Sequence, residues 1–220
     1  MTRAVVARIA GTTTLLYRGL GVTAFFLYEN SLGLRGADRV AAVTAHASDL
    51  RTACVLTMIY CLLGLIMGVS MYFYTRGGGV ELATLGLVGR TAEAALYGVF
   101  ALALIALVSL ATSSTEASRA IDARLVVEIG RSAHRVAIVG CLYFALANAA
   151  FAWLLMRARL APGFIAVLGL FGALVPLFGM PLQITGALRG FPTPVLWLAM
   201  FLFELTFAAW ILTTGGRDPA

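Results

Sequence analysis

Charge is scarce in this sequence. Only 12% of the 220 residues are Asp, Glu, Lys or Arg, against 61% hydrophobic, where a soluble domain is about one quarter charged. The mean hydropathy is +0.94. A soluble domain is therefore excluded, and an integral membrane protein is expected. Lysine is missing altogether, so the formal charge of +6 comes from arginine alone. Those arginines are spread thinly over connections and helix ends. They suit membrane topology and surface contact, not nucleic acid, which needs a clustered basic face.

Histidine is nearly absent too: His46 and His134 both fall in polar stretches. Haem needs axial ligands within the spans, and no histidine lies deep. His46 with Asp49 three residues on could begin a metal site, but an exposed loop histidine is the simpler reading, so neither metal nor cofactor is expected. The sequence has no nucleophile elbow, no phosphate loop and no HExxH. Ser70 and Ser109 have no histidine at matching depth. The three cysteines, Cys54, Cys61 and Cys141, sit in apolar segments. The first two are two helical turns, roughly 10 Å, apart, too far to bridge, and all three read as small buried side chains.

What is present is a succession of apolar runs. A span needs about 20 residues, and six fit with little left over, at about 6–28, 50–75, 82–110, 135–156, 163–184 and 195–214. The fold class expected is all-α: an integral membrane bundle of six transmembrane helices, residues 1–220 forming one transmembrane domain. The basic start, MTRAVVARIAGTTTLL, reads as a retained signal anchor, because Tyr17 and Arg18 interrupt its apolar core and the pattern resumes to Tyr28. Gly33 and Gly36 break the first connection. Its second half, Ala37 to Ser48, reads as a short interfacial helix, and so does the polar stretch 113–135, where Ala117, Ile121, Leu125 and Ile129 recur at helical spacing. Both lie on the side away from the termini.

Tyr72, Phe73, Tyr74 and Arg76 make an interfacial anchor, and Gly77-Gly78-Gly79 a tight turn. Pro162 opens the fifth span, and Pro176 and Pro181 within it predict a kink. Gly64 and Gly68 form GxxxG, a motif for close helix packing. It permits a homodimer, with no further sign of one. Six spans put both termini on one side. The short connections there carry Arg3, Arg8, Arg76, Arg157, Arg159 and Arg217; the longer loops opposite carry more arginine. Short loops weigh most in the positive-inside rule, which places the termini in the cytoplasm.

Counting about 1.5 Å per residue from the terminal side sets Arg18, Arg90, Glu93, Asn148 and Glu204 near one depth. That depth is the middle of a hydrocarbon core about 30 Å thick. Arg90 and Glu93 are three apart, on one helix face. Two arginines and two glutamates from three spans are neutral together, so an ionic cluster is expected, with Arg90–Glu204 its central pair and Tyr17 and Tyr97 near enough to supply hydroxyls. Ionisable groups in a membrane core are costly and face protein, water or an opposite charge. The cluster could clamp helix register, or line a cavity for a ligand, proton or lipid headgroup.

Several stretches together carry a resemblance: RIAG at 8–11, RGADRVAAVTAHASDLRTA at 35–53, LATLGLVGRTAEA at 82–94, APGFIAVLGLFG at 161–172 and FELTFAAWILTTG at 203–215. In this order they resemble the bacterial family catalogued as domain of unknown function 4386. The resemblance spans nearly the whole chain. It matches best at Arg90, Glu93, Glu204, Trp210 and Gly215, and loosely over 113–135. It implies a six-span inner-membrane protein and carries no activity.

Three functions follow as expectations. The first is a non-enzymatic multi-pass protein of the bacterial inner membrane with a polar midplane pocket, lined by Arg18, Arg90, Glu93, Asn148, Glu204 and Tyr97, for a small or lipidic ligand. The second is a membrane-embedded enzyme acting on a lipid or isoprenoid, with Glu93 or Glu204 as acid or base. The third is a scaffold in which the cluster is only a helix clamp.

Overall fold

A computed structural model describes residues 2–32, 39–115, 118–188 and 193–214. Gly33, Arg35, Gly36, Arg189, Gly215, Gly216 and Arg217 lie outside the described residues, as does the very start of the connection helix expected from Ala37. Among the described residues the chain is all-α: α1 (Arg3–Leu32), α2 (Arg39–Ala45), α3 (Ala47–Thr75), α4 (Val80–Ser113), α5 (Arg119–Arg157), α6 (Gly163–Ile184) and α7 (Thr193–Thr214). A 3-10 turn, Arg76–Gly78, joins α3 to α4 at the expected three-glycine turn.

Five of these helices, α3 to α7, are long and apolar enough to cross a membrane. Their outward faces fit that solvent. On α6, Phe164, Phe171 and Phe178 are exposed while Gly169, Gly172, Ala173, Pro176 and Gly179 are buried. In water so large an apolar face would mark an interaction site; against acyl chains it is the ordinary outside of a helix. The small inner face lets backbones approach closely. α1 is long enough to span, at 30 residues, but Arg18 and the run Thr12-Thr13-Thr14 dilute its apolar content.

The chain separates into two compact units. The first holds residues 1–18, 62–94 and 140–220; the second holds 19–61 and 95–139. In the first unit glycines mark where helices meet. A Cβ placed on Gly11 of α1 would fall 2.6 Å from Leu212 of α7, and one on Gly68 of α3 would fall 2.9 Å from Arg90 of α4. One on Gly86 of α4 would fall 2.5 Å from Phe151 of α5. One on Gly172 of α6 would fall 2.8 Å from the Met200 backbone nitrogen of α7. The paired numbers run in opposite senses throughout: Thr14 meets Met67 and Tyr17 meets Gly64 on α1 and α3, and Gly169 meets Phe203 where Gly179 meets Leu196 on α6 and α7. These neighbours are antiparallel, and α1 is antiparallel to α7 as well.

The GxxxG of α3 is thus filled from within the chain. Gly64 lies against Tyr17 and Arg90, and Gly68 against Arg90 and Leu87. At the end of α5 the chain turns through Arg159, a non-glycine residue at φ 49°. The Leu160 amide reaches back to the Leu155 carbonyl at 2.9 Å and the Arg159 amide to that of Met156 at 3.2 Å, the hydrogen-bond pattern of a Schellman cap. The Tyr74 hydroxyl donates to the Leu160 carbonyl at 3.0 Å, fastening the end of α3 to this turn.

The second unit has its own core, in which Tyr28, Leu50, Phe100, Leu104 and Val126 are buried together. The short helix α2 turns Val40 and Val43 into it, and Thr44 donates to the Ala111 carbonyl at 3.2 Å. The surface helix expected over 113–135 is not a separate element. From Arg119 it is the first part of the 39-residue α5, which runs unbroken to Arg157. Gly130 alone is a weak helix breaker, costing only about 0.5–1 kcal/mol relative to Ala. The buried stripe also falls one position later than expected: Asp122, Val126 and Ala133 are buried, while Ile121 is 66% exposed and Leu125 is exposed.

Candidate functional site

The charged residues placed at one depth by counting are brought together in the first unit. α4 supplies an ion pair to the cluster on its own. Its 3.6-residue repeat puts Glu93 beside Arg90, with Arg90 Nη1 2.8 Å from Glu93 Oε2. Neither side chain is solvated: Arg90 has 0% of its surface exposed and Glu93 2%. Tyr17 of α1 donates its hydroxyl to Glu93 Oε1 at 2.5 Å. The bare glycines of α3 make room for the guanidinium; the Arg90 Nη2 atom lies 3.4 Å from where a Cβ on Gly64 would sit. A buried pair of this kind needs good geometry and further hydrogen bonds to offset the loss of water, and Tyr17 supplies one.

Glu204 of α7 is also buried, and it forms an ion pair with Arg18 of α1. This corrects the expected Arg90–Glu204 pair. The antiparallel contact of α1 with α7 sets Arg18 opposite Glu204, while Arg90 is taken up by the carboxylate one turn along its own helix. The two pairs differ in surroundings. The Arg18 side chain retains 16% of its surface.

Two aromatic rings join the pairs. Tyr17 and Phe144 stack with centroids 6.5 Å apart and planes 16° apart. The Arg90 guanidinium carbon lies 4.6 Å from the Tyr17 centroid and 5.0 Å from that of Phe144. The Arg18 carbon lies 5.2 Å and 4.7 Å from the same two. Both cations therefore lie within the reach of a ring quadrupole. Trp197 of α7 continues the aromatic group, its centroid 5.6 Å from Phe144.

Asn148 is buried, as expected, but its amide donates to the Phe144 carbonyl of its own helix at 3.1 Å. Tyr97 belongs to the second unit, where its ring lies 5.2 Å from Tyr60 and 6.1 Å from Phe100. Phe144 is the member that sequence reasoning missed. It sits one turn before Asn148 on the same face, so counting depth for aromatic as well as polar residues would have found it. Elsewhere, His46 Nδ1 lies 3.2 Å from Asp49 Oδ2, and no group of three metal-ligating side chains occurs among the described residues.

A helical chain with five membrane-length apolar helices and a buried ionic cluster has the make-up of a membrane protein. It belongs to the family described as Domain of unknown function (DUF4386), whose model matches residues 9–215. No curated protein and no solved structure matches it.

Proposed function

We propose that this is a non-enzymatic, six-span, multi-pass protein of the bacterial inner membrane, with both termini cytoplasmic, whose buried cluster divides into a clamp and a ligand site. Arg90, Glu93 and Tyr17 are the clamp. Arg18 and Glu204 face a small or lipidic ligand. One observation carries the division: the first pair is wholly buried with its carboxylate held from two helices, whereas the second leaves Arg18 partly exposed.

Six spans are supported by the direction of α1. It runs antiparallel to α7, which requires an even number of crossings if α1 spans too. At about 1.5 Å per residue its 30 residues exceed the hydrocarbon core. The bacterial inner membrane comes from the family resemblance, and the cytoplasmic termini from the arginines of the short connections.

The test compares two isosteric changes in detergent. Glu93→Gln leaves Arg90 buried without its counter-charge and is expected to cost about 3–5 kcal/mol, seen as a marked loss of melting temperature. Glu204→Gln is expected to leave the melting temperature within a few degrees of the parent while changing which lipids co-purify with the protein. Equal losses of stability would make both pairs clamps and end the division.

A further inference from the structure

We propose that Arg18 and Glu204 form a proton-linked site for the head of a monoanionic amphiphile. In the exchange, the Glu204 carboxylate releases Arg18 to the phosphodiester or carboxylate of the ligand and takes one proton from solvent to become a neutral acid. This inference rests on reading that pair as the ligand-facing half of the cluster.

The first ground is positional. Arg18 is held by more than its counter-ion: its guanidinium lies over the Tyr17 and Phe144 rings, so the cation keeps its place when Glu204 lets go. The second is charge. Against Arg18, the partner of Glu204, lie the rings of Tyr17 of α1 and Phe144 of α5, and the same two rings carry Arg90 of α4 with its partner Glu93. α3 brings Gly64 and Gly68, and α6 carries no ionisable residue. Two arginines and two carboxylates sum to zero. An added anion would leave a buried site with net negative charge, which low-dielectric surroundings penalise heavily. Protonating Glu204 restores neutrality, and one proton balances one negative charge, which selects a monoanion. The third is the rim. Leu15, one turn before Arg18 on the same face of α1, is an exposed apolar residue. It suits an acyl tail and not a free hydrophilic anion.

Trp197, packed on Phe144, is the reporter. In the full-length chain carrying Trp153→Phe and Trp210→Phe, reconstituted in phosphatidylcholine vesicles, its fluorescence is titrated with brominated phosphatidylglycerol, brominated fatty acid and brominated phosphatidylcholine. Preferential quenching by an anionic probe is expected. For the permanently charged phosphatidylglycerol, apparent affinity should rise about tenfold per unit fall in pH while Glu204 is ionised, the slope of one proton taken up per anion bound. Glu204→Gln should keep the binding and lose the slope; Arg18→Gln should lose the binding. Quenching by phosphatidylglycerol identifies a resident bilayer lipid, and quenching by fatty acid alone a free amphiphile; both support the site. Arg18-dependent quenching that is equal for phosphatidylcholine, or a pH slope that survives Glu204→Gln, overturns this inference and leaves the ligand site standing. Quenching by every probe that is indifferent to Arg18 removes both.

Discussion

At the scale of single residues, the cluster shows what counting along a helix can reach. A fixed rise per residue converts position into depth, so Arg18, Arg90, Glu93 and Glu204 were legible as one layer. The Arg90–Glu93 contact was legible too, because residues three apart share a face. The partner of Glu204 was not, since that depends on which helices are neighbours, and α1 beside α7 is a long-range fact. The closed half should behave as a unit. Arg90→Met alone is expected to cost about 3–5 kcal/mol by stranding Glu93. Arg90→Met with Glu93→Leu should cost clearly less than the two single changes added together, as measured by a double-mutant cycle of thermal unfolding in detergent. Additive losses would mean that the two side chains do not depend on each other.

At the scale of elements, boundaries were read well where turn residues punctuate the chain. Pro162 precedes α6 and the glycines after Arg76 close α3, both as expected. They were read poorly where no such residue stands: the 113–135 stretch looked like a surface helix because its charges were visible and its continuity with α5 was not. Helix contacts are decided by glycines of two kinds. Gly172→Val would press a side chain into the α7 backbone and is expected to destabilise by about 1–3 kcal/mol or more. Gly98→Ala, where an added Cβ meets nothing within 4 Å, should raise stability by about 0.5–1 kcal/mol through a better helix former. Thermal melts of the two variants check the contrast, and a neutral Gly172→Val would refute the close approach of α6 and α7.

At the scale of the whole molecule, the number of spans and the charge of the connections set topology. Raw arginine counts favour the wrong side for the proposed orientation, so the decision rests on loop length. In a chain lacking its native cysteines, single cysteines at Thr2, Gly78 and Ala158 should react with an impermeant maleimide only after spheroplasts are permeabilised, and one at Thr115 should react in intact ones. Labelling of Thr2 from the face opposite Gly78 would remove α1 from the spans.

The pairing of Arg18 with Glu204 also bears on biogenesis. α4 leaves the ribosome with its arginine and glutamate already side by side and can enter lipid self-neutralised. α1 carries a cation whose partner lies on α7, far later in the chain. At about 5–20 residues per second, that interval is on the order of ten to forty seconds. Through it, Arg18 has no carboxylate partner from α7, so on the proposed six-span reading α1 is expected to settle in the bilayer only once α7 has been made.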